Sequence, residues 1–294
     1  MKRILMILSI FLTQAVFAQD LSDLRKQALE GKTDCNGSVY ANDSFAYYVN
    51  SKILKVLELK TGKETAQIDT SRPITAVKSD SEKLFVLTEA NLEIWDLAGQ
   101  KHFSTLPTYP NLSAPYNFYE QPRGLAISSD KIYIAHGLLG VVIVDRQSEQ
   151  FETVISTKST VRDIAITKNT AVMVLDNNTP DGFHGFALVD LQSNQIQKYI
   201  GVENVFPESV TITGDTLLVG YFSTIWKYRT QDVLTQSNPA VLGRVFNFPA
   251  GPGSIIGKAH YDSKFMYACF ESVDIQGQNP NKHIVAFDRV SLGL

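Results

Sequence analysis

The sequence predicts an all-β fold, a single β-propeller of six four-stranded blades with a short helical or irregular segment in front. Three observations carry that expectation. An Asn or Asp turn followed by an apolar strand recurs six times. A strand ending in Asp follows it in most units. Between these features no stretch sustains a long helical period.

Read from its first residue, the chain opens on an expected export signal over residues 1–18. Lys2 and Arg3 supply the positive start, Ile4 to Leu12 a short apolar core, and Ala15-Val16-Phe17-Ala18 a small-x-small site before Gln19. The apolar stretch falls short of the roughly 20 residues that span a bilayer. No Cys lies near the cut, so a lipid anchor is not expected. The expected mature chain has 276 residues, with 25 basic against 30 acidic side chains and a net charge near −5. No basic run is present, which argues against nucleic acid as the main partner. No further apolar stretch would cross a membrane as a helix, so a protein that is not membrane-embedded is expected, in the periplasm or outside the cell. The expected division is a signal at 1–18, a segment packing on the ring at 19–36, and the propeller at 37–294.

Within residues 20–32, Leu21, Leu24, Ala28 and Leu29 sit at helical spacing. An amphipathic helix covering part of the ring is the expectation.

The repeat begins next. A second strand starts near Ser44, Lys83, Lys131, Thr170, Thr216 and Lys264, after turns at Asn42-Asp43, Asp80, Asp130, Asn169, Asp215 and Asp262. Short polar side chains bond their own backbone in such turns. Spacings of 39, 48, 39, 46 and 48 residues fit the 40–50 of propeller blades. Third strands recur as Val56-Leu57-Glu58-Leu59, Ile94-Trp95-Asp96-Leu97, Ile143-Val144-Asp145-Arg146 and Leu188-Val189-Asp190-Leu191. They return as Trp226-Lys227-Tyr228-Arg229 and Ala286-Phe287-Asp288-Arg289. The Asp suits a strand end because its carboxylate accepts backbone N–H bonds from the following turn. Fourth strands are expected in most units, for example over 65–70 and 151–157.

The strand ends Val141-Val142-Ile143-Val144-Asp145 and Phe186-Ala187-Leu188-Val189-Asp190 resemble those of bacterial secreted propellers of the YVTN and WD40-like superfamily. The likeness runs over nearly all of the mature chain. A Gly-His dipeptide is not repeated, and Trp-Asp occurs once, at Trp95-Asp96. The resemblance implies the fold and no activity.

In such blades the second-to-third and blade-to-blade connections share one face, and here that face is built up. Its loop at 107–121 carries Tyr109, Tyr116, Phe118 and Tyr119 among prolines, and those at 176–184 and 271–283 are long. The other face has short turns apart from 230–241. Long loops on a rigid scaffold are where binding resides. Aligned inner strands put Arg123, Arg162 and Glu208 at equivalent positions at the channel mouth, with Ile74 and Gly253 in other blades. Two guanidinium groups near one axis suit an anionic or carboxylate ligand, unless Arg162 pairs with Asp163 or Glu208 and simply fills the channel. Tyr116, Phe118 and Tyr119 are expected to form an apolar wall, with His136 and His184 nearby.

No cofactor is expected, and no metal is assigned. Residues 176–182 are oxygen-rich but lack EF-hand spacing and its closing Glu. His102, His136, His184, His260 and His283 show no ligand spacing, although His136, His184 and His283 could converge on the loop-rich face. No nucleophile elbow, P-loop or dinucleotide fingerprint occurs. The leading expectation is an exported binding or scaffolding propeller that recognises a protein, peptide or glycan. The competing one is a hydrolase or lyase at the channel mouth, of a kind that usually carries a bound divalent cation.

Two expectations concern ring closure. Cys35 and Cys269, the chain's two cysteines, fall toward the same face at the same seam, and in an exported protein they are expected to pair. The last unit stops after its third strand, so part of residues 20–36 is expected to cover its open edge.

Overall fold

A computed structural model of the chain describes residues 20–112, 114–176, 183–202, 207–221, 224–245, 253–272 and 281–294. The export signal expected at 1–18 lies outside these residues, as do most of the loops at 176–184 and 271–283.

Six antiparallel sheets follow one another in chain order, each with its strands in sequential order. Blade 1 holds β1 (Val39–Ala41), β2 (Phe45–Asn50), β3 (Ile53–Glu58) and β4 (Glu64–Asp69). Blade 2 holds β5 (Ile74–Ser79), β6 (Lys83–Thr88), β7 (Asn91–Asp96) and β8 (His102–Pro107). Blade 3 holds β9 (Gly124–Ile127), β10 (Lys131–Ala135), β11 (Val141–Asp145) and β12 (Phe151–Ile155). Blade 4 holds β13 (Thr160–Thr167), β14 (Thr170–Asp176), β15 (Gly185–Asp190) and β16 (Gln195–Gly201). Blade 5 holds β17 (Ser209–Thr213), β18 (Thr216–Tyr221), β19 (Thr224–Arg229) and β20 (Gly243–Val245), with a short helix α2 (Thr230–Thr235) before β20. Blade 6 has three strands, β21 (Gly253–Tyr261), β22 (Phe265–Ser272) and β23 (Asn281–Asp288).

The punctuation read in the sequence is physically realised. Asn42 Oδ1 accepts from the backbone N–H of Ser44 and Phe45, Asp80 Oδ1 from Glu82 and Lys83, and Asp262 Oδ1 from Lys264 and Phe265. In blade 3 the acceptor is Ser128 Oγ rather than Asp130. The Asp that ends the third strand accepts from the next turn at Asp96, Asp145, Asp190 and Asp288. Those N–H bonds hold the Asp145, Asp190 and Asp288 carboxyls below their ordinary pKa.

The core lies between blades. Six apolar clusters occupy the six blade-to-blade interfaces, including the one between blades 6 and 1. The middle strands therefore bury both faces. In β14, Ala171, Met173 and Leu175 pack toward blade 3, while Val172 and Val174 pack toward blade 5. This explains why second strands read as unbroken apolar runs, whereas the outer β4 buries only Ile68.

The seam between blades 6 and 1 is built as the short last unit predicts. After β23 the chain turns back on itself through Leu292 N–H to Asp288 O, and adds no fourth strand. The N-terminal segment takes its place. Helix α1 (Leu21–Leu29) is capped by Asp20, whose carboxylate accepts from Ser22 N–H at 2.8 Å. Gly31, in the left-handed region at φ +79°, redirects the chain after the helix. Gly31 N–H then donates to Ile284 O at 2.9 Å, and Ile284 N–H donates to Lys32 O at 2.8 Å. The open edge is thus covered, as expected. Leu29 and Ala28 insert into the apolar cluster that joins blades 6 and 1. Tyr267 hydroxyl donates to Ser22 O at 2.7 Å, and Arg25 donates to Asn42 O at 3.0 Å. A disulfide joins Cys35 to Cys269 across the same seam. Among the described residues no helix is long and apolar enough to cross a membrane.

Candidate functional site

The inner strands β1, β5, β9, β13, β17 and β21 surround the channel of the ring. On the loop-rich face it widens to a cavity of about 540 Å³. Ile74, Arg123, Arg162 and Glu208, aligned from sequence alone, all line it. Ile225, Ile255 and Ile256 add apolar wall, and Lys258, Glu271 and Lys282 add charge.

Local backbone irregularity aims several of these side chains. Pairing slips between Ile74 and Ala76, between Val161 and Asp163, and between Ile256 and His260. Each bulge leaves residues outside the ladder, namely Thr75, Arg162 and the stretch containing Lys258. Bulges re-aim side chains in this way, and all three residues line the cavity.

Arg162 is 7% exposed, and its Nε donates to Asp176 Oδ2 at 2.9 Å while Nη2 bonds the same oxygen. Its partner is therefore neither Asp163 nor Glu208. The reason is register: Thr160 faces Asp176 across β13–β14, so the bulged Arg162 meets the carboxylate ending the adjacent strand. Asp163 is engaged elsewhere, accepting from Val210 N–H at 3.0 Å and pairing with Lys258 Nζ. Lys282 Nζ lies 3.5 Å from Glu271 Oε1 and donates to Asn36 Oδ1 at 3.0 Å.

Arg123 is differently placed. Its Nη2 donates to Phe118 O at 3.0 Å, and its guanidinium lies 4.4 Å from the Phe118 ring centroid. Its Nε is buried without a hydrogen-bond partner. Burial, reinforced by the like charge of Arg162, shifts Arg123 below its ordinary pKa, with Glu208 acting in the opposite sense. An arginine remains charged under such a shift.

The aromatic wall is only partly where it was expected. Phe118 and Tyr119, 58% and 43% exposed, stand in the loop beside the mouth, with Phe118 also 5.9 Å from the Arg162 guanidinium. The loop is pinned by Leu138 N–H donating to Tyr119 O at 2.7 Å. Gly137 makes the close approach possible: at φ +57°, a Cβ there would fall 1.9 Å from Tyr119 O. Tyr116 is instead buried beneath the loop, its hydroxyl hydrogen-bonded with Thr108 Oγ1 at 3.2 Å and donating to Leu112 O at 3.1 Å. It packs edge-on against His136. His136 is fully buried, its Nε2 3.0 Å from Thr108 Oγ1, and burial lowers its pKa to about 4. Tyr116 and His136 therefore support the loop and do not line the cavity. The sequence reading missed this because period alone cannot tell a rim aromatic from one folded under its own loop. His184 lies 3.9 Å from Asp176 Oδ1, and His283 is in β23 opposite Phe270. Among the described residues no three His, Cys, Asp or Glu side chains are gathered as a metal site.

The opposite end of the channel holds a smaller space of about 240 Å³, lined by Lys78, Leu125, Ile164 and Ile212 among others. Lys78 Nζ lies 5.3 Å from the Tyr40 ring centroid. Burial lowers the pKa of both Lys78 and Lys258, and Asp163 opposes that shift in each. Sequence alignment overlooked these lysines because they belong to the far half of one inner strand and to a bulge.

No family model matches the chain, and no curated protein matches it. The six-bladed propeller arrangement is what stands, and no family-level or sequence-level match supports the YVTN and WD40-like superfamily. Among solved structures the chain is similar to a computationally designed protein, Ika8, with a TM-score of 0.53 and 11% identity. That match covers 83% of this chain and 70% of the designed one. At such identity it shows the fold alone.

Proposed function

We propose that the chain is an exported binding or scaffolding propeller whose loop-rich face recognises a protein, peptide or glycan through an anionic group. The observation that carries this reading is Arg123. Its guanidinium faces a cavity of ligand size with a buried Nε unpartnered and no carboxylate at ion-pairing distance among the described residues. Pockets of about 300–1,000 Å³ with few polar anchors suit small ligands or anchoring side chains. Phe118 and Tyr119 supply exposed aromatic surface at the rim, a common source of contact area. The Cys35–Cys269 disulfide supports export, since such bonds persist in oxidising compartments.

The state of the carboxylates favours binding over hydrolysis. Among the described residues, Asp163, Asp176 and Glu271 are each held by a cation, which leaves Glu208 as the lining carboxylate free for acid–base work.

The test is a titration of the mature protein against short peptides and against neutral and uronic-acid oligosaccharides. Arg123→Gln should weaken any binding by tenfold or more, because a charged hydrogen bond contributes about 1.5–3 kcal/mol. Lys63→Gln, on an outer turn, should leave it unchanged. Binding indifferent to Arg123, or no binding in any of these classes, would overturn the reading.

A further inference from the structure

Among the described residues, the charges around the large cavity cancel in pairs and leave one of each sign. Arg162 is matched by Asp176, Lys258 by Asp163, and Lys282 by Glu271. What remains is the Arg123 guanidinium at the start of blade 3 and the exposed Glu208 carboxylate at the start of blade 5. Neither forms an ion pair among the described residues. They lie close enough for the Glu208 charge to act on Arg123, yet they do not bond each other.

This balance selects among ligands. A plain anion seated on Arg123 would bring its charge toward the Glu208 carboxylate, and a plain cation on Glu208 would face the uncompensated Arg123 guanidinium. Like charges at short range in a partly desolvated site disfavour binding. A molecule carrying both signs neutralises both residues at once. Ile74, Ile225, Ile255 and Ile256 also line the cavity and suit an apolar body. A space of about 540 Å³ exceeds what an inorganic ion requires.

We propose that this cavity takes an apolar zwitterion of the amino-acid or short-peptide class, its carboxylate on Arg123 and its ammonium on Glu208. The proposal rests on the reading of this face as a binding face and names the ligand chemistry.

The experiment is isothermal titration of the full mature protein with leucyl-leucine, N-acetyl-leucyl-leucine and leucyl-leucinamide. The free dipeptide should bind at least tenfold more tightly than either blocked form. Glu208→Gln should abolish the preference over the acetylated form, and Arg123→Gln the preference over the amide. The preference over the acetylated form should also fade above about pH 8, where an α-ammonium loses its proton. Melting curves of both variants confirm that each is folded.

If the acetylated dipeptide binds as well as the free one, the zwitterion is wrong while the anionic reading survives. If the amide binds as well as the free dipeptide, Arg123 does not hold the carboxylate and both fall. If all three dipeptides fail while an acidic oligosaccharide binds through Arg123, the proposal falls alone.

Discussion

Removing the seam disulfide tests how this ring is closed. The perturbation is the double variant Cys35→Ala/Cys269→Ala, chosen because both positions are buried, at 2% and 0% exposure, and alanine introduces no polar atom there. The bond spans 234 residues of sequence. The chain-entropy relation makes so long a loop worth about 5 kcal/mol through the unfolded chain. Total stabilities of 5–15 kcal/mol are usual, so a third or more of the molecule's stability rests on one bond. The native seam should persist without it, because Leu29 packing, the Gly31–Ile284–Lys32 bonds and the Tyr267–Ser22 bond do not involve sulfur. The assay is urea unfolding of wild type and variant, with near-ultraviolet circular dichroism as the check on native packing. With a denaturant slope of about 3 kcal/mol/M, the midpoint should drop by roughly 1.7 M while the native spectrum stays the same. A loss below about 1 kcal/mol, or two titratable thiols in unreduced wild-type protein, would refute the reasoning.

Three further outcomes are expected. Arg162→Ala strands the Asp176 carboxylate in the channel wall and should cost about 3 kcal/mol or more in urea unfolding; unchanged stability would mean that His184 suffices as its partner. Lys78→Met removes a desolvated ammonium that no carboxylate pairs among the described residues, Asp163 opposing the shift only at a distance. Its pKa is lowered on folding, so acid and neutral pH favour the unfolded chain, and the penalty fades as pH rises toward the unfolded value. The variant should therefore melt higher than wild type at pH 6 and similarly at pH 10, and a lower melting temperature at pH 6 would contradict this. Acid should also destabilise the wild-type protein through its buried histidines: unfolded His136 takes up a proton near pH 6.5, but the folded one only near pH 4. Stability should accordingly fall by about 3 kcal/mol from this residue as pH drops through that window, and His136→Gln should flatten urea midpoints measured from pH 7 to 4.

How much of this was legible depends on the range of the interaction. Turn residues such as Asp80 and Asp262, and strand ends such as Asp96 and Asp190, act on backbone two to five residues away, so their spacing alone reveals the repeat. The apolar middle strands are equally plain, since each must bury two faces between neighbours. Arg123, Arg162 and Glu208 could be brought to one mouth because equivalent positions in a repeat share one radius and height. The seam was readable for a related reason: a last unit short of a strand, and one cysteine at each side of it, are features of chain order.

What each of those side chains touches was settled by the tertiary structure. Arg162 took Asp176, and not its sequence neighbour Asp163, because a one-residue bulge rotated it out of the ladder. Asp163 met Lys258, 95 positions away in sequence, because the ring brings blades 4 and 6 to a common axis. Tyr116 and His136 went under the loop while Phe118 stayed on its rim, a choice made by Gly137 and the space it leaves for Tyr119. Local hydrogen bonding and alternation are written along the chain, so sequence determined the blades, their order and the face that carries the cavity. Ion pairing at the axis depends on bulge positions and on distances between strands far apart in sequence, so only the folded ring decided which charges cancel and which two remain.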